Sequence, residues 1–90
     1  MLVVSYDIHD DKLRGQFAKA LCKRGAIRLQ FSVYEVRHTK RVIENLKIEI
    51  ENHFAKRFTG GDSVMIFETQ DGNITKYGNA IHRDQDFICF

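Results

Sequence analysis

Ninety residues make one domain, 1–90, and a domain of that size buries only roughly 60 to 65% of its unfolded surface, so its core is small and association would help it. With 43% hydrophobic residues and no proline, the composition excludes a disordered or fibrous chain, and a net charge of +2 is too slight to prove a nucleic-acid partner by itself. The first apolar run, about eight residues with no basic stretch before it, is too short for a signal peptide or a membrane span, and a cytoplasmic protein is expected.

Leu2, Val3, Val4 and Tyr6 form an apolar run rich in β-branched residues, as in an interior strand. It ends at Asp7. Asp10 or Asp11 can cap the helix that follows, whose apolar positions Leu13, Phe17 and Leu21 recur every four residues and whose stop is Gly25. Gly15 inside that helix costs about 1 kcal/mol relative to alanine. Ile27, Leu29, Phe31 and Val33 then alternate with Arg28, Gln30 and Ser32, but from Tyr34 the apolar parity flips, which requires a bulge or a break. A second helix starts near Thr39, buries Ile43, Leu46, Ile50, Phe54 and Phe58, and stops at Gly60-Gly61. Val64 to Phe67 reads as another central strand. Asp71-Gly72 signals a hairpin to Ile74–Tyr77, and Phe87 to Phe90 reads as a short terminal strand. Cys22 and Cys89 lie in apolar patterns without metal-ligand spacing and are expected to be reduced thiols.

This order predicts an α+β ferredoxin-like sandwich, two helices on one face of an antiparallel sheet. The apolar terminal strand has no obvious place in so small a sheet. Extra C-terminal strands pairing across a homodimer are therefore expected.

A carboxylate at the end of a buried strand is costly to desolvate unless it meets water, a donor or a cation. Asp7 is thus either a divalent-metal ligand or a cap on the turn into the helix. Its oxygens suit Mg2+ or Mn2+, and phosphodiester cleavage needs such an ion to activate water and neutralise charge. One aspartate is too few, so a site shared at a twofold axis, with one Asp7 from each subunit, is the economical arrangement. Asp10 and Asp11 fit helix capping better, and His9 fits a surface turn. Rows of cations that include Lys12, Arg14 and Arg28, and then Arg37, Lys40 and Arg41, are spaced either for phosphate contact or as solvated helix faces.

Tyr6-Asp7-Ile8, Asp10-Asp11-Lys12-Leu13-Arg14, Gln30-Phe31-Ser32-Val33-Tyr34-Glu35 and Asp62-Ser63-Val64 together resemble the small CRISPR-associated adaptation proteins, the "Cas two" family of CRISPR-associated endoribonucleases. The resemblance covers about the first seventy residues. It implies a ferredoxin-like homodimer, Asp7 as the catalytic, metal-binding aspartate at the dimer axis, and supporting roles for Tyr6, Arg14, Arg28 and Tyr34. It also implies the CRISPR integrase subunit and duplex DNA, or RNA, as partners, with Lys12, Arg14, Arg37, Lys40 and Arg41 as the nucleic-acid contacts. One departure is Gln16, where some members carry a second arginine. The ribonuclease toxins of the virulence-associated D type resemble the chain in fold and in the strand-end aspartate, and are the alternative. A ferredoxin-like RNA-binding module fits less well, because Arg28-Gln30-Ser32 lacks stacking aromatics.

Overall fold

The computed structural model describes residues 1–70 and 73–78. Its elements run β1 (Leu2–Asp7), α1 (Asp11–Lys23), β2 (Ile27–Gln30), β3 (Val33–Val36), α2 (Lys40–Glu49) and β4 (Ser63–Glu68). The sheet order is β2-β3-β1-β4 with every neighbouring pair antiparallel, which is the ferredoxin-like sandwich. Leu2, Val4 and Tyr6 of β1 are buried, and Leu13, Phe17 and Leu21 of α1 are buried in the same core. The alternation of a strand and the four-residue recurrence of a helix thus meet in one interior. Phe17 is its hub: its ring meets Tyr6 edge-on at 4.8 Å and Phe54 at 5.1 Å.

Local signals set the ends of α1. The Asp10 carboxylate accepts the Leu13 N–H at 2.8 Å, satisfying a donor that the helix leaves unpaired, and Gly25 adopts φ +77° just past the last turn. Thr39 caps α2 in the same way, accepting from Val42. Beyond Glu49 the backbone widens into a π-turn over Ile50–Phe54 and then tightens into a 3-10 turn over Ala55–Arg57. Apolar residues four apart drift about 40° per step around an ordinary helix. The wide turn absorbs that drift and keeps Phe54 on the buried side with Leu46 and Ile50.

The parity flip is the break that the pattern required, and it takes the form of a reversal: Phe31-Ser32 forms a tight turn, with Ser32 at φ +63°, and β2 folds back on β3. Four expectations change. The second helix ends at Arg57, before Gly60-Gly61, because Phe58 is already extended and the Asp62 carboxylate accepts the Thr59 N–H at 2.9 Å, closing a turn there. The strand β4 lies at the sheet edge and not in its centre, with Met65 and Phe67 each more than half exposed. Ile74–Tyr77 is not a strand: the segment crosses the outer face of the sheet, where Lys76 Nζ donates to Glu35 at 2.7 Å. Cys22 is not a free thiol, against the expectation of a reduced cysteine. Asp71-Gly72, Cys89 and the expected terminal strand, residues 87 to 90, lie outside the described residues.

Glu35 is a fully buried charged side chain, 2% exposed. Burial would raise its pKa, but bonds from Lys76 and from Arg37, whose Nε donates at 2.7 Å, outweigh that and hold the carboxyl below its ordinary value. The Lys76 pair joins β3 to a segment forty-one residues away.

Candidate functional site

Six residues of β1 alternate faces, so Tyr6 points into the core while Asp7 ends the strand on the opposite side, its side chain 70% exposed. The cap of α1 is Asp10, so the fold does not use Asp7 for that purpose. Ile8, 2% exposed, anchors the turn between strand and helix. From α1, Arg14 Nη1 donates to the Ile8 carbonyl at 3.0 Å and its other nitrogen pairs with Asp11, which holds the same turn from the helix side.

The residues predicted to form one site fall into two groups. Tyr6, Arg14, Arg28 and Tyr34 line a cavity of about 250 Å3, together with Phe31 and Ser32 of the β2–β3 turn. Asp7 is not among its walls. The Arg14 guanidinium lies 6.0 Å from the centre of the exposed Phe31 ring. Burial, followed by the neighbouring phenol of Tyr34, pushes the Tyr6 hydroxyl up to about 12, so Tyr6 stays a neutral donor across the physiological range.

Asp7 instead faces His9 and, through it, Asp62. His9 Nε2 lies 3.5 Å from Asp7 Oδ1, and His9 Nδ1 lies 3.2 Å from Asp62 Oδ1. Asp62 accepts the backbone N–H of Thr59 and that of His9, each at 2.9 Å, and these two bonds hold its carboxyl below the usual range. Sequence reasoning left His9 as a surface residue and did not assign Asp62 a role. The only signal was Asp62-Ser63-Val64, since the two residues are fifty-three apart and β1–β4 pairing alone, with Asp7 opposite Ser63, brings them together.

A hard dication would find one carboxylate here, from Asp7, and would complete its shell with water or a second chain, which suits Mg2+ or Mn2+. Among the described residues no three His, Cys, Asp or Glu side chains are grouped to hold a metal ion. The predicted nucleic-acid residues also divide. Lys12 and Arg14 lie near the Asp7 end of β1, whereas Arg37, Lys40 and Arg41 follow Val36, which pairs with Leu2 at the other end. Five strand steps separate those ends, about 17 Å. Lys12, Arg37, Lys40 and Arg41 are exposed, with Arg37 tied to Glu35.

The sandwich with an exposed strand-end carboxylate defines a class of small ferredoxin-like proteins, and comparison with known proteins narrows it. The profile of the family described as CRISPR associated protein Cas2 matches residues 1–77. The chain belongs to that family. A crystal structure of a hypothetical protein from Thermus thermophilus is similar to it, with 30% identity and a TM-score of 0.67 over 86% of this chain and 88% of that one. No curated protein matches. No helix among the described residues is long and apolar enough to cross a membrane.

Proposed function

We propose that this chain is a CRISPR adaptation subunit, a cytoplasmic homodimer that bridges integrase dimers and holds duplex DNA during spacer acquisition. In this reading it also has a conditional endonuclease activity on RNA or DNA that depends on Mg2+ or Mn2+ at Asp7. The observation that carries the catalytic part is the exposure of Asp7: it ends a buried strand yet serves neither core nor cap, Asp10 having taken the latter role. Family membership favours this reading over the ribonuclease toxin. Two cationic groups about 17 Å apart along β1 fit the backbone of a duplex, which presents a phosphate on each strand every 3.4 Å or so.

The outer face of the sheet supports the homodimer. Val3, Leu29, Val33, Phe67, Ile74 and Tyr77 line a cavity of about 450 Å3 on that face, and Met65 is 55% exposed. So much apolar surface on so small a domain is what a second copy would cover.

The test is Asp7→Asn, assayed beside the parent chain for metal-dependent cleavage and for spacer acquisition with the neighbouring integrase. An amide is a poor, neutral ligand for a hard cation, so cleavage should disappear while folding, dimerisation and acquisition survive. Full cleavage by the variant would remove Asp7 from the site. Loss of acquisition with integrase and DNA binding intact would defeat the scaffold reading.

A further inference from the structure

His9 is exposed, 62% by side chain, yet three features restrain it, one at the backbone and two at the ring. Its backbone N–H donates to Asp62 Oδ1 at 2.9 Å, and its Nδ1 sits 3.2 Å from the same oxygen. Asp62 is itself immobilised. Its side chain is 2% exposed, and its second oxygen accepts from Thr59 N at 2.9 Å and Thr59 Oγ1 at 3.3 Å. The third restraint is Gly61, where an added Cβ would stand 2.5 Å from His9 Cε1 and 2.8 Å from Nδ1. Gly61 is not among the residues with positive φ, so its missing side chain serves the ring and not the backbone.

Holding an exposed side chain in one place costs rotamer entropy that no core contact returns here. What the restraints achieve is to aim Nε2 at Asp7 Oδ1, 3.5 Å away. We propose that His9 is a positioning residue for Asp7: with its backbone held by Asp62 and its ring confined by Gly61, its Nε2 stands against one carboxylate oxygen of Asp7 and so leaves the other directed outward for a divalent cation. Partners of this kind beyond the ligands themselves orient the ligand and are worth about ten- to a hundredfold in metal affinity. The cation half of the proposal rests on the metal reading of Asp7 above. The orientation half does not.

The experiment uses the full chain and four variants, His9→Ala, His9→Gln, Gly61→Ala and Asp7→Asn, with two readouts. Without metal, three-bond couplings report the χ1 distribution of Asp7. The parent should show one dominant rotamer, and His9→Ala and Gly61→Ala an averaged one. His9→Gln should restore part of the order, because its amide nitrogen reaches about as far as Nε2. Mn2+ titration followed by paramagnetic resonance gives the second readout: His9→Ala and Gly61→Ala should bind about tenfold more weakly, and Asp7→Asn should lose the site. An Asp7 rotamer distribution unchanged in His9→Ala overturns the positioning role, even if Asp7→Asn loses Mn2+. Rotamer averaging in His9→Ala, with Mn2+ binding equal in the parent and Asp7→Asn, supports positioning while removing the metal from Asp7.

Discussion

Replacing Glu35 with glutamine keeps the shape of the side chain and removes its charge from a place where two cations converge. Lys76 Nζ and Arg37 Nε each donate to it at 2.7 Å, and a hydrogen bond to a charged group contributes about 1.5 to 3 kcal/mol. The full sum does not apply, because the Arg37 side chain is 51% exposed and that of Lys76 21%, so water recovers part of what the variant loses. A glutamine can also accept from one cation, though its amide group then faces the other. We expect a net loss of about 2 kcal/mol at pH 7, which for a domain of 60 to 100 residues is roughly 8 to 16 °C in Tm. The pH dependence has a definite sign. The folded pKa of Glu35 lies below its ordinary value, since the bonds from Lys76 and Arg37 outweigh the opposing effect of burial. Its stabilisation is therefore complete above the unfolded glutamate value of about 4.3 and disappears as pH falls through the lower folded value. Urea unfolding of both proteins, at one protein concentration and in steps from pH 7 to pH 3, measures this directly. A difference under about 0.5 kcal/mol at pH 7, or one as large at pH 3 as at pH 7, would refute the argument that the charge pair holds residues 73–78 on the sheet.

Three further outcomes are expected. Asp10→Ala should cost about 1 kcal/mol in thermal unfolding, because the Leu13 N–H loses its acceptor. Gly15→Ala should stabilise the chain by up to about 1 kcal/mol in urea unfolding, since an added Cβ meets nothing within 4 Å and the helix gains propensity. Lys40→Gln should weaken duplex DNA binding without regard to sequence and flatten the dependence of affinity on salt by about one unit of logarithmic slope, measured by fluorescence anisotropy.

Helix α1 was legible from sequence alone, because its determinants act within four residues: Asp10 reaches the Leu13 N–H, Leu13, Phe17 and Leu21 recur at helical spacing, and Gly25 takes the left-handed conformation that ends it. The exposure of Asp7 at the strand end was legible for a similar reason, as a charge stranded at the end of an apolar run. The ferredoxin-like order followed from counting such elements. What failed was whatever depended on which strands become neighbours. The parity flip near Val33 announced a break, but only the closing of β3 against β1, with Tyr6 N–H donating to Ser32 O at 3.1 Å, turned it into a hairpin. The apolar run Val64–Phe67 reads the same at an edge as in a centre, and the sheet order placed it at the edge. Pattern could not separate Asp7 from the cavity of Tyr6, Arg14, Arg28 and Tyr34, because adjacent residues on a strand face opposite ways and the other three come from α1 and the β2–β3 hairpin. Asp62 beside His9 and Lys76 beside Glu35, fifty-three and forty-one residues distant, are invisible to any local signal. Capping, periodicity and turn chemistry act through near neighbours in the chain, whereas a buried ion pair or an oriented carboxylate exists only once β1 lies between β3 and β4 and the loops at its ends are brought together.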